Sequence, residues 1–92
     1  MIEVTKEVYR AWVVFTIPSN IGDSVELMGS WSGWKREPMR YKESGEFRLV
    51  KLLKLNRNYE FGYLVDGKKW IHDESLEYKE TPFKSKNSIL EV

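Results

Sequence analysis

Apolar side chains occupy every second position from Tyr9 through Ala11, Val13 and Phe15 to Ile17, the two-residue period of a strand with one buried face. The habit recurs along the chain. Val25 and Leu27 alternate with Glu26 and Met28, and Phe47–Leu55 and Tyr59–Val65 are runs rich in aromatic and branched residues. Trp70–Ile71 and Ser88–Val92 complete the candidate strands. Polar turn signals separate them: Pro18-Ser19-Asn20, Gly22-Asp23, Ser44-Gly45, Asn56-Arg57-Asn58 and Asp66-Gly67. Only Asp73–Lys79 offers a helix, one turn capped by Asp73, and a loop suits the same residues. Short strands at intervals of about ten residues predict an all-β, immunoglobulin-like antiparallel β-sandwich, with a small closed barrel as the competing architecture.

With 92 residues the chain buries only about 60–65% of its unfolded surface, enough for one modest core. We therefore expect a single domain over residues 1–92 with its core within about 8–92. A large catalytic barrel, at roughly 250 residues, is excluded. Cysteine is absent, which removes disulfide frameworks, zinc ribbons and thiol nucleophiles and suits a reducing cytoplasm. The N-terminal MIEVTKEVYR carries acids and no long apolar stretch, so no signal peptide is expected. No apolar run approaches the ~20 residues that span a bilayer, and no membrane partner is expected.

Catalytic signals are sparse. His72 is the sole histidine, and the His72-Asp73 pair reads as structural. Glu43 with Glu46, and Glu74 with Glu77, flank turns without specifying a cleft. The expectation is a non-catalytic binding domain that needs no metal or cofactor. Fifteen basic against fourteen acidic residues give a net charge of +1, a poor electrostatic footprint for nucleic acid. The aromatic Tyr59–Tyr63 run lends single-stranded nucleic-acid binding some support, but charge argues against it.

Four Trp, five Tyr and four Phe make 14% of the chain aromatic, more than a small core requires. Some rings therefore belong on the surface. Gly29-Ser30-Trp31-Ser32-Gly33-Trp34 sets two indoles three residues apart in a turn whose small residues cannot cover both. Trp31 is expected to join the core, and the residues alone leave Trp34 between core and surface. Trp12 and Val14, on the second face of the first strand, suit either a partner subunit or a fold-over of the chain itself.

Three ordered blocks carry a further signal: VELMGSWSGWKREP from Val25 to Pro38, Tyr59–Asp73 with its Val65-Asp66-Gly67 turn and Trp70, and Asn87–Val92. Together they resemble a glycogen-binding module (carbohydrate-binding module 48). This family is found in the regulatory beta subunit of AMP-activated protein kinase and at the N-terminus of isoamylases and branching enzymes. The resemblance covers about Tyr9 to Val92. It implies a β-sandwich of the early-set immunoglobulin-like type that binds α-1,4-linked glucan and serves a glycogen-metabolism enzyme or kinase subunit. Trp34 and Trp70 match the family's two sugar-stacking tryptophans. Asn87 matches an asparagine that hydrogen-bonds glucose hydroxyls. Phe83 falls where the family often has a leucine that presses into the curve of the glucan, and Ser85 falls near a threonine lining the site.

Two departures stand out. Gly62 occupies the position of the family's site lysine, which leaves Lys68 or Lys69 to substitute from the turn, and Lys69 is taken as the candidate. The turn also carries one extra residue. Tyr59, Phe61, Tyr63 and Val65 share one face of their strand, and Gly62 and Leu64 share the other. A two-residue loop would pair Tyr63 with Trp70 and turn the indole inward. A three-residue loop, Asp66 to Lys68, pairs Leu64 with Trp70 and keeps it outside, the register expected here.

Overall fold

The alternating segments become ten strands in the computed structural model, which describes all 92 residues, Met1–Val92. In chain order these are β1 (Ile2–Lys6), β2 (Arg10–Pro18), β3 (Val25–Gly29), β4 (Glu37–Pro38), β5 (Arg40–Lys42), β6 (Glu46–Lys54), β7 (Asn58–Val65), β8 (Lys69–Ile71), β9 (Tyr78–Glu80) and β10 (Lys86–Glu91). Two 3-10 turns, Ser19–Ile21 and Ser30–Ser32, are the helical elements, and no helix is long and apolar enough to cross a membrane.

The strands form two antiparallel sheets. One runs β1-β2-β6-β5, and the other runs β4-β3-β7-β10-β9 with β8 paired to the C-terminal half of β7. Each sheet keeps free edges, so the architecture is the immunoglobulin-like sandwich and not the closed barrel. Ala11, Val13, Phe15 and Ile17 of β2 meet Leu27, Phe61, Tyr63 and Val65 of the facing sheet in one apolar cluster. Phe61 stands edge-on to Phe15 at 5.1 Å between centroids, a favourable aromatic geometry.

Local pattern and structure part company at three places. Tyr9, expected on the buried face, is 86% exposed, because β2 starts one residue later and Glu7 N–H closes a turn on the Arg10 carbonyl. Residues Ile2–Lys6 form an edge strand paired in register with Ala11–Phe15, although only Ile2 and Val4 among them are apolar. Asp73–Lys79 contains no helix. The Asp73 carboxylate accepts from the Ser75 backbone N–H at 2.9 Å and its hydroxyl at 2.6 Å, capping a turn that leads into β9.

The outer face of the four-stranded sheet is partly apolar. Trp12 pairs with Leu52, and Val14 with Val50. Trp12 and Leu52 both remain 41% exposed, so no segment of this chain folds over them.

Candidate functional site

The three-residue loop decides where Trp70 stands. Asp66 and Gly67 adopt left-handed backbone (φ 52° and 70°), and Lys68 N–H closes the turn on the Val65 carbonyl at 3.1 Å. The Asp66 carboxylate accepts the backbone N–H groups of Asp23 and Ser24 at 2.8 and 2.9 Å, tying the turn to the start of β3. Trp70 consequently pairs with Leu64, and strand alternation sends its indole to the outer face of the six-stranded sheet.

Gly62 is the seat of that indole. A Cβ on Gly62 would overlap the Trp70 ring, so only glycine lets the ring lie against the β7 backbone. On the far side, Trp70 Nε1–H donates to the Lys86 carbonyl of β10 at 3.0 Å. The indole is thus held at both ends of its width, by a bare backbone beneath and a hydrogen bond beyond.

Trp34 reaches the same face from the other side of the sheet. After the Ser30–Ser32 turn, Gly33 (φ 70°) and Trp34 (φ 67°) are both left-handed, and Trp34 N–H returns to the Gly29 carbonyl at 3.0 Å. A tryptophan in this region carries backbone strain that glycine would not. Its ring centroid lies 6.3 Å from that of Trp70, with the planes tilted by 54°. Both rings are half-buried.

Trp31 goes the opposite way, into the core. It packs against Phe15 at 5.4 Å and against Tyr59 and Phe61 at 6.0 Å between centroids. Gly29 admits it as Gly62 admits Trp70, since a Cβ there would overlap the Trp31 ring. Its Nε1–H donates to Glu37 at 2.8 Å, and the same carboxylate pairs with Lys51 of the facing sheet. This half-buried polar bridge had no legible signal in the sequence.

The other sequence-predicted residues fall unevenly. Asn87 lies on β10 between inward-facing Ser88 and the Lys86 carbonyl that holds Trp70, so its side chain belongs to the outer face. It is 8% exposed, and its Nδ2 donates to Glu60 over a long 3.4 Å. Phe83 tops the β9–β10 connection at 90% exposure. Ser85 shares a hydroxyl hydrogen bond of 2.7 Å with Thr81, which closes that loop. Lys69 pairs with Val65, a buried residue, so alternation directs it away from the face that carries Trp70. The structure does not bring Lys69 to the indoles.

Neither indole lines any of the main grooves of the surface. The largest groove, about 720 Å³, lies elsewhere, lined by His72, Glu77, Tyr78 and Lys86 among others. There the Lys86 ammonium sits 4.6 Å from the centre of the Tyr78 ring and His72 lies 5.6 Å from it, so the ring is already partnered. Beneath, burial and then the Asp73 charge push the Tyr63 hydroxyl far above its ordinary pKa. Burial also opposes ionisation of Asp73, but the Ser75 donors and the Met1 ammonium, 3.4 Å from its second oxygen, outweigh this and hold its pKa low.

Fold and face together describe an immunoglobulin-like β-sandwich that presents two tryptophans side by side on one outer face. Residues 13–92 match the family described as the glycogen recognition site of AMP-activated protein kinase, and the chain belongs to that family. Carbohydrate recognition is the property the family brings to this fold. A comparison with curated proteins found no match.

Proposed function

We propose that this domain binds α-1,4-linked glucan, of the glycogen or starch kind, on the outer face of its six-stranded sheet, with Trp34 and Trp70 as stacking platforms. The observation that carries this reading is the meeting of two indoles from distant parts of the chain at 6.3 Å and 54°. A pyranose offers an axial C–H face that is weakly apolar and a rim of hydroxyls. An indole laid on that face removes apolar area from water without stranding the hydroxyls. A contact of about 50 Å² per partner contributes roughly 2–3 kcal/mol per ring before ordering costs. Two such rings suit affinities between about millimolar and micromolar. Tilted planes favour a curved chain of sugars, as in helical α-glucans, over a flat one.

Asn87 carries both donor and acceptor atoms, and its long bond to Glu60 is weak enough to exchange for a sugar hydroxyl. Phe83 projects from the neighbouring loop as a further apolar contact, with Ser85 beside it. The domain acts without catalysis, in the cytoplasm, and targets or regulates a glycogen-metabolism enzyme or kinase subunit.

The test is a titration of maltoheptaose, β-cyclodextrin and a short oligonucleotide, followed by tryptophan fluorescence. The two glucans should bind saturably and the oligonucleotide should not. Trp34→Ala and Trp70→Ala should each weaken glucan binding by well over tenfold, about 2 kcal/mol.

One observation favours a second reading, a protein-assembly sandwich. The exposed Trp12, Val50 and Leu52, with the half-buried Val14, form a contiguous apolar strip on the opposite sheet. A folded protein with no glucan response, whose binding to a partner is lost in Trp12→Ser, would select that role.

A further inference from the structure

The register of the last two strands places a lysine beside the candidate site that neither motif nor spacing singled out. Lys79 of β9 lies directly opposite Asn87 of β10. Directly opposed residues of an antiparallel pair point to the same side of the sheet. Ser88 is fully buried opposite Phe61, so its neighbour Asn87 faces outward, and Lys79 faces outward with it. Lys79 is exposed, and none of the ion pairs in the structure uses its ammonium.

On the other flank of Asn87 stands Glu60. It shares the outward face of β7 with Gly62, and one of its oxygens accepts from Asn87 Nδ2 at 3.4 Å. Glu60, Asn87 and Lys79 therefore form a strip running across three strands: an acceptor, an amide and a donor. This strip lies on the face whose β7 position, Gly62, has no side chain of its own to offer. Lys69, the nearer residue in sequence to Trp70, takes the opposite parity.

Adjacent equatorial hydroxyls of a glucose ring, each both donor and acceptor, match such a strip. One can donate to a carboxylate while its neighbour accepts from an ammonium. We propose that Lys79 and Glu60 are specificity-determining residues that read neighbouring glucan hydroxyls on either side of Asn87. The inference rests on the glucan reading above and adds to it the polar side of the site.

Calorimetric titration of maltoheptaose into the full chain tests it. Lys79→Met and Glu60→Gln should each weaken binding by roughly three- to tenfold, the range for one ordinary net hydrogen bond at an exposed site. Lys79→Arg should recover most of the loss, since it restores a cationic donor. The urea midpoint of Lys79→Met should equal that of the parent, separating recognition from folding. Parent-like affinity in either variant, with Trp34→Ala still defective, overturns this inference and leaves the glucan reading intact. Failure of the parent protein to bind maltoheptaose overturns both.

Discussion

The indole of Trp70 lies on the backbone of Gly62, at a spacing that no side chain at position 62 could share. What reads along the chain as a missing lysine is, in three dimensions, the seat of an aromatic ring. The extra turn residue and the glycine are thus two parts of one arrangement. The loop of three sets the register that turns Trp70 outward, and Gly62 makes room for it there.

Gly62→Ala should therefore lift the indole and cut affinity for maltoheptaose by roughly tenfold, about 1.4 kcal/mol, with a red shift in tryptophan emission. Gly62→Lys should lose binding as well, because the new stem occupies the seat before its ammonium can reach a sugar. Titration of both variants checks this. Improved binding by Gly62→Lys would show that the seat is dispensable.

Trp34 sits at φ 67°, where a Cβ is unfavourable. Trp34→Gly and Trp34→Ala should lose glucan binding alike, yet Trp34→Gly should be the more stable of the two by about 1 kcal/mol. Urea unfolding of the pair measures that gap. Equal stabilities would mean that the backbone relaxes once the ring is gone.

Tyr63 buries a hydroxyl that has no hydrogen-bond partner. Tyr63→Phe removes that unsatisfied group at nearly constant shape and should leave stability unchanged or raise it by up to about 1 kcal/mol. Its glucan affinity should match the parent, since Tyr63 faces the core and the indoles face out. Thermal unfolding and one titration suffice.

Asp73 predicts an acid limb of stability. Its folded pKa is held below the ordinary value, so it contributes above the unfolded carboxyl pKa of about 4, and this is lost as pH falls through the lower folded value. The urea midpoint of the parent should fall with acidification below about pH 4. Asp73→Asn should be less stable at neutral pH and show a shallower acid slope. Parallel curves for the two proteins would assign the acid limb to other carboxylates.

Much of this arrangement was legible along the chain. The alternation of Ala11, Val13, Phe15 and Ile17 marks β2, and those residues are the core. The parity of Tyr59–Val65, joined to a three-residue loop, is enough to turn Trp70 outward, and the structure has that register. The surplus of aromatic residues required some rings outside the core, and Trp34 is one of those standing on an outer face beside Trp70. These features are local. They follow from backbone periodicity and from the few conformations a short turn can adopt.

Only the tertiary structure decided the rest. It made an edge strand of the weakly patterned Ile2–Lys6, gave Glu37 and Lys51 to a bridge beneath Trp31, turned Lys69 away and set Lys79 beside Asn87. Each of these depends on which residues of separate segments lie opposite one another. That pairing is fixed by hydrogen bonds and packing between strands far apart in the chain, and a pattern of period two carries no record of it.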